Sequence, residues 1–179
     1  MTQIGNVYGE AMYSLAREEK LDDAILAELK LLQDAFSQEP DFVKLLSAPN
    51  LSKEERCQVL DQSFRGKVQP YVLNFLKILT EKGYARYFSD CCDAFRAQYN
   101  ADHGILTVNA VTAVALTDAQ TEKLSAKLAS LTGKTIELHN RVDPDCMGGV
   151  RLDYDGKRVD GTVAGRLDAV RSLLKNTVL

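Results

Sequence analysis

The apolar residues of this chain change their spacing once, near Gly104, and that change limits the folds open to it. Before Gly104 they recur every three or four residues, as on one face of an α-helix. After it, Leu106 and Val108 stand among threonines in the rough alternation of a half-buried strand. We therefore predict an α+β protein, with an all-α six-helix bundle over residues 1–104 followed by a small α+β domain over residues 105–179.

The first domain carries start and stop signals for its helices. Ser52 and Glu55 have the spacing of a capping box, in which each side chain satisfies the other residue's backbone N–H. Pro70 suits a helix start because it has no N–H to lose, and Gly83 suits a helix end. The predicted helices cover residues 4–18, 21–37, 41–46, 53–64, 70–82 and 84–104.

The second domain is predicted to mix strands and helices. Thr117 and Gln120 form another capping box, and Asp155-Gly156 is a strong signal for a two-residue hairpin turn. Thr162 can cap a last helix with Leu167 on its apolar face. The predicted elements are a strand from residue 105, a helix over 118–132, a strand over 135–142, hairpin strands over 150–154 and 157–160, and the final helix.

The fifth helix is apolar over more of its surface than one neighbouring layer can cover. At about 100° per residue its apolar side chains span roughly 220°, against the usual stripe of about 100°. One explanation is a central helix surrounded by the others, and a second is a surface left open for a partner. The residues concerned are Tyr71, Val72, Leu73, Phe75, Leu76, Ile78 and Leu79.

Composition excludes several classes of protein. The hydrophobic fraction of 45% and charged fraction of 26% are typical of a globular chain, and we find no apolar run long enough to cross a bilayer. The formal charge of −3 argues against affinity built on nucleic-acid phosphates. The first residues lack the pattern of a secretory signal, so we expect the protein to fold where it is made. The four cysteines form no CxxC pair, which favours a reducing compartment.

Two motifs suggest sites but have simpler explanations. Gly133-Lys134-Thr135 lacks the leading glycine of a phosphate-binding loop, since Leu128 occupies that position, and we interpret it as a turn before a strand. Five acidic residues could be imagined as metal ligands or an acid/base pair, but they fall at turns and on strand faces, where solvation and turn chemistry explain them. They are Asp143, Asp145, Asp153, Asp155 and Asp160.

The segment from Val142 to Leu174 resembles the C-terminal signature of the ATP synthase delta subunit, whose mitochondrial counterpart is the oligomycin-sensitivity-conferring protein. The resemblance extends over nearly the whole chain. In the first domain, Tyr84-Ala85-Arg86 departs from it, because an arginine usually follows the glycine directly. The matching groups are Val7-Tyr8, Ala11 to Ala16, Leu45-Leu46, Pro49, Leu51-Ser52, Phe75-Leu76, Leu79, Glu81 to Gly83, Asp143-Pro144, Gly148-Gly149, Val159 to Val163, Gly165 to Leu167 and Arg171.

The resemblance implies a stator subunit of a rotary F-type ATP synthase, with no active site, cofactor or metal of its own. The N-terminal bundle would bind the alpha/beta catalytic head, and the C-terminal domain would bind the b-type subunits of the peripheral stalk. In the family, the first and fifth helices form a groove for the N-terminal helix of an alpha subunit. The matching residues here are Tyr8, Ala11, Met12, Leu15, Phe75, Leu76, Ile78 and Leu79.

The resemblance also implies a location at the cytoplasmic face of a bacterial cell membrane, reached only through the complex. Two other classes stay open on the residues alone. A helical nucleic-acid-binding or regulatory scaffold protein would need a basic stripe on its surface. An enzyme acting on a small molecule would need polar groups converging in a pocket.

Overall fold

The computed structural model describes residues 2–48 and 51–167, and the chain divides into two compact units, Met1–Tyr99 and Asn100–Leu179. The division falls inside a helix, whereas the sequence places the boundary a few residues later, at that helix's end. Within the described residues, no helix is both long enough and apolar enough to cross a membrane.

The first unit is built of helices, as the sequence predicts. The capping box is present, with the Ser52 hydroxyl accepting from Glu55 N–H at 3.2 Å and the Glu55 carboxylate accepting from Ser52 N–H at 2.8 Å. The helices are α1 (Gln3–Glu18), α2 (Asp22–Gln38), α3 (Pro40–Leu46), α4 (Lys53–Phe64), α5 (Pro70–Glu81) and α6 (Phe88–Asp102), the last of which continues into the second unit.

The sixth helix begins later than predicted because α5 ends in a closed turn. Gly83 has a φ of +74°, and its N–H bonds Thr80 O while Tyr84 N–H reaches back to Leu79 O at 2.7 Å. This pair of bonds is the Schellman arrangement, which holds Tyr84 out of a new helix. A short 3₁₀ turn at Ala85–Tyr87 then leads into α6.

Aromatic side chains from four helices form the centre of the first unit's core. Phe36 of α2 is only 9% exposed, and its ring centroid lies 5.0 Å from that of Phe88, 5.5 Å from Phe42 and 6.1 Å from Phe64. Tilted and edge-on pairs at such distances are favourable beyond the area they bury. These side chains join α2, α3, α4 and α6.

The α1 helix approaches α6 closely through two glycines. A Cβ atom added at Gly9 would lie 2.5 Å from the Cys91 carbonyl oxygen and 2.6 Å from Ala94 Cβ. At Gly5 the nearest atom, Asp90 Cβ, would also lie at 2.5 Å. The face of α1 that carries these glycines is therefore fixed against α6.

The second unit contains a four-stranded sheet in the order β2-β1-β3-β4. Strands β1 and β2 are parallel and are connected through α7, whereas β1–β3 and β3–β4 are antiparallel. Together the two units confirm the predicted fold class. The elements are β1 (Ile105–Thr112), α7 (Asp118–Thr132), β2 (Thr135–Val142), β3 (Val150–Tyr154) and β4 (Lys157–Asp160).

Local turn chemistry in the second unit follows the sequence. Asp155 and Gly156 have φ values of 44° and 70°, which a type I′ hairpin turn requires. Thr162 caps the following helix, since its hydroxyl accepts from Gly165 N–H at 3.0 Å. Residues 163–167 are helical. The rest of the predicted final helix, with Arg171, and the matching Pro49 lie outside the described residues.

The four cysteines are free thiols that differ in exposure. Cys91, Cys92 and Cys146 are buried, whereas Cys57 is half-buried on α4. Burial raises the pKa of Cys91 to about 11 and also raises the pKa of Cys92. The thiolate is the reactive form, so Cys91 and Cys92 are protected both by burial and by their raised pKa.

We expect an aromatic disulfide reagent at about pH 8, near the ordinary thiol pKa, to modify Cys57 first. Burial and the neighbouring Glu81 carboxylate also raise the Cys57 pKa. Even this reaction should therefore be slower than that of a fully exposed cysteine in a short peptide. The other three should react only at the rate of unfolding. Counting released chromophore against time, with and without denaturant, checks this, and fast modification of more than one thiol in the native protein would contradict it.

Candidate partner-binding surface

Helices α1 and α5 run antiparallel along one side of the first unit. The Tyr8 ring lies 5.8 Å from that of Tyr84, which follows the end of α5. At the other end of the pair, the negative charge of Glu19 raises the pKa of Tyr71 in the first turn of α5. The start of α1 thus lies beside the end of α5, and the end of α1 lies beside the start of α5.

Half of the predicted groove residues are buried in the core of the first unit. Met12 is 4% exposed and belongs to the same hydrophobic cluster as Phe75, Leu76 and Leu79. Most of the broad apolar surface of α5 is therefore covered by its own bundle. These four side chains can shape the floor of a partner surface but offer little area to a partner.

The other predicted residues remain accessible. Leu15 is 37% exposed and Ile78 is 46% exposed, while Ala11 is exposed and Tyr8 is half-buried. Val7, which the predicted set omits, is 59% exposed. We call these five residues the α1–α5 surface.

Helix geometry explains why these side chains point outward. Val7, Ala11 and Leu15 are spaced by four residues, which places them in one row along about 12 Å of the helix. The row differs from the face that Gly5 and Gly9 press against α6. The same four-residue spacing is visible in the sequence, so Val7 could have been included among the predicted groove residues on that signal.

The α1–α5 surface has the chemistry of binding rather than catalysis. Its side chains are aliphatic groups and one phenol, and they hold no paired nucleophile and base. Apolar side chains left in water on neighbouring helices suit helix-in-groove recognition, in which a partner helix buries its own apolar face.

A separate cavity of about 410 Å³ opens between α2, α3 and the start of α6. Phe36 and Val43 contribute to its lining, and Gln33 at its edge donates to the Ser89 hydroxyl at 2.9 Å. The volume would accommodate a small molecule. The described residues that line it, however, include no histidine or cysteine, and Ser89 is engaged by an amide rather than a base.

The acidic residues of the second unit lie at turns and on the sheet. Asp143 accepts a hydrogen bond from Asp145 N–H at 3.2 Å, and Asp155 lies in the hairpin turn. Asp153 pairs with Arg158 at 2.7 Å, and Asp160 accepts from Thr162. These contacts agree with the turn and surface roles predicted for them.

The Gly133-Lys134-Thr135 segment also has the simpler of its two predicted structures. Gly133 is the left-handed C-cap of α7, with a φ of 67°, and β2 begins two residues later at Thr135. The segment is thus a turn between a helix and a strand.

Comparison with known proteins gives a consistent family. The sequence model for the ATP synthase delta (OSCP) subunit matches residues 4–174. The ATP synthase subunit delta of Clostridioides difficile is 30% identical, with 98% of this chain and 97% of that protein aligned. The subunit delta of Alkaliphilus oremlandii is 31% identical over 96% of both chains.

The fold agrees with the sequence match. A chain in the cryo-EM structure of the Toxoplasma gondii mitochondrial ATP synthase hexamer superposes with a TM-score of 0.79. The alignment covers 97% of this chain and 98% of that chain at 21% identity. The match therefore spans both units, and this chain belongs to the ATP synthase delta (OSCP) subunit family.

Proposed function

We propose that the α1–α5 surface binds the amphipathic N-terminal helix of an alpha subunit and that the second unit binds the b-type stalk. Membership of the family makes the chain a non-catalytic stator subunit of a rotary F-type ATP synthase. The observation that supports the proposal is that Val7 and Leu15 on α1 and Ile78 on α5 are all exposed, on two helices that share one hydrophobic core.

The physical task of a stator subunit is to resist torque. Rotation of the central shaft would turn the catalytic head as well, unless the head is tied to the membrane sector. A chain with one binding surface in each of two compact units can make that tie by itself. We further propose that it works at the cytoplasmic face of a bacterial membrane, held there only through its partners.

Burial of the α1–α5 surface would supply most of the affinity for the alpha helix. Apolar area removed from water contributes about 25 cal/mol per Å², and a few well-packed residues usually dominate such an interface. Val7, Leu15 and Ile78 are the large aliphatic side chains of this surface that are exposed. Met12, Phe75, Leu76 and Leu79 would act indirectly, by keeping the two helices at a fixed spacing.

We expect Ile78→Asp to weaken binding of a synthetic alpha N-terminal peptide by about 10- to 100-fold, because a carboxylate would lose its water in the apolar contact. Val7→Asp should have a similar effect. Isothermal titration calorimetry of the full chain measures it. Met12→Asp is less informative, because Met12 is 4% exposed and a charge there would disrupt the core.

Leu31→Asp is the matched control. Leu31 is 69% exposed on α2, so the same type of substitution adds a charge to the same unit away from the proposed contact. Its affinity for the peptide should equal that of the unsubstituted chain. Equal affinities for Ile78→Asp and Leu31→Asp, with both proteins folded, would remove the α1–α5 surface from the interface.

A further inference from the structure

One side of the four-stranded sheet is polar, and the strand register defines it. Val111 of β1 is opposite Arg141 of β2 and Arg151 of β3, so the three side chains project from the same side. By the same register, Arg151 is opposite Asp160, and Asp153 is opposite Arg158. We call this side the polar face.

Both carboxylates of β3 and β4 on the polar face already have close partners. Asp153 accepts from Arg158 Nε at 2.7 Å, a bond that lowers the pKa of Asp153. Asp160 accepts from the N–H and the hydroxyl of Thr162 at 2.9 and 2.7 Å, and these bonds lower the pKa of Asp160. Both carboxylates are thus ionised, and the closest contact of each is to a group other than Arg141 or Arg151.

Two arginines on the polar face are therefore incompletely paired. Arg151 Nε is buried without a hydrogen-bond partner among the described residues, and it lies 3.4 Å from Asp153 Oδ2, an oxygen set beside the one that Arg158 uses. Arg141 is exposed and forms no ion pair with any described residue. Val111, the residue between them, is only 3% exposed.

We infer that Arg141 and Arg151 form a docking site for an acidic helix of the b-type stalk, an inference that rests on the proposed function of the second unit. The two arginines flank β1, so their strands lie about 10 Å apart. Acidic side chains seven positions apart on a helix have nearly the same separation, about 10.5 Å. Each guanidinium can then bind a carboxylate through two parallel hydrogen bonds.

The test uses the full chain and the extramembrane part of the b-type subunit from the same ATP synthase. Arg141→Gln and Arg151→Gln should each weaken binding about tenfold, since a hydrogen bond between charged groups is lost. The double variant should lose about 100-fold if the two sites act independently. Its affinity should also fall less steeply with salt, because fewer charges meet at the contact.

Two further variants separate this site from a general effect of charge. Lys157→Gln removes a positive charge from the same hairpin, but Lys157 is opposite Tyr154 and projects from the other side of the sheet, so its affinity should not change. Arg151→Lys keeps the positive charge but lacks the planar set of guanidinium N–H donors, so it should weaken binding less than Arg151→Gln.

The possible results are distinct. Unchanged affinity and salt dependence in the folded double variant, with normal binding by the unsubstituted chain, would overturn the polar-face inference and leave the proposed function standing. Failure of the unsubstituted chain to bind the stalk subunit would overturn both. Arg141 is exposed, so its single variant keeps the test valid if replacement of Arg151 disturbs the fold.

Discussion

Phe36→Ala is expected to lower the free energy of unfolding of the first unit by about 3–5 kcal/mol, the usual cost of truncating a buried phenylalanine. The side chain is 9% exposed and contacts three other phenylalanine rings, so the substitution leaves a cavity where three helices meet α2. Domains of this size are stable by only about 5–15 kcal/mol. The variant should therefore melt at a much lower temperature.

Chemical denaturation followed by circular dichroism at the helical band measures this loss. Leu31→Ala is the matched control, because Leu31 lies on the same helix and is 69% exposed. It should change stability by less than about 0.5 kcal/mol. Phe36→Leu, which keeps most of the volume, should cost about 1.5 kcal/mol or less. Similar losses for Phe36→Ala and Leu31→Ala would show that the aromatic cluster is not the centre of the core.

Gly9→Ala is expected to destabilise the first unit by about 1–3 kcal/mol, although the same change in an ordinary helix would stabilise it by about 1 kcal/mol. The new Cβ would lie 2.5 Å from the Cys91 carbonyl oxygen, a backbone atom that cannot move without shifting α6. Gly9→Val adds two further methyl groups at this contact and should cost more than about 3 kcal/mol.

Two control variants test whether the effect is specific to the contact at Gly9. Asn6→Ala, at an exposed position on α1, should be neutral or slightly stabilising because alanine favours helix. Ala94→Gly combined with Gly9→Ala removes one of the two close contacts but leaves the Cys91 oxygen in place, so it should recover only part of the loss. A Gly9→Ala protein more stable than the original in urea would mean that α1 and α6 are not in close contact at this point.

Local rules predicted the elements of the fold well because each signal acts over a few residues. The capping boxes at Ser52 and Thr117 and the Asp155-Gly156 turn depend only on neighbours in the chain, and all three are present. The start of α6 was predicted too early because Tyr84, which fits the apolar spacing, is instead used by its backbone to close α5. Spacing alone does not reveal such a bond.

The partner surface was harder to define from sequence for a related reason. Helical spacing gives the direction in which a side chain points around the axis of its helix. Whether that side chain is buried depends on which other helices pack against that direction. Met12 and Leu15 lie three residues apart and share an apolar stripe, yet one is 4% exposed and the other 37%. Gly9 decides between them, because its contact with α6 fixes how far α1 is rotated.

The outer edge of β4 has a consequence for the protein before it joins a complex. Within the part of the chain that the structure describes, this strand pairs only with β3, and the N–H and C=O groups on its other side would invite a second copy to add to the sheet. Three of its four side chains are charged, namely Lys157, Arg158 and Asp160. Charges along an open edge disfavour such pairing, which protects newly made copies from aggregation while they await assembly.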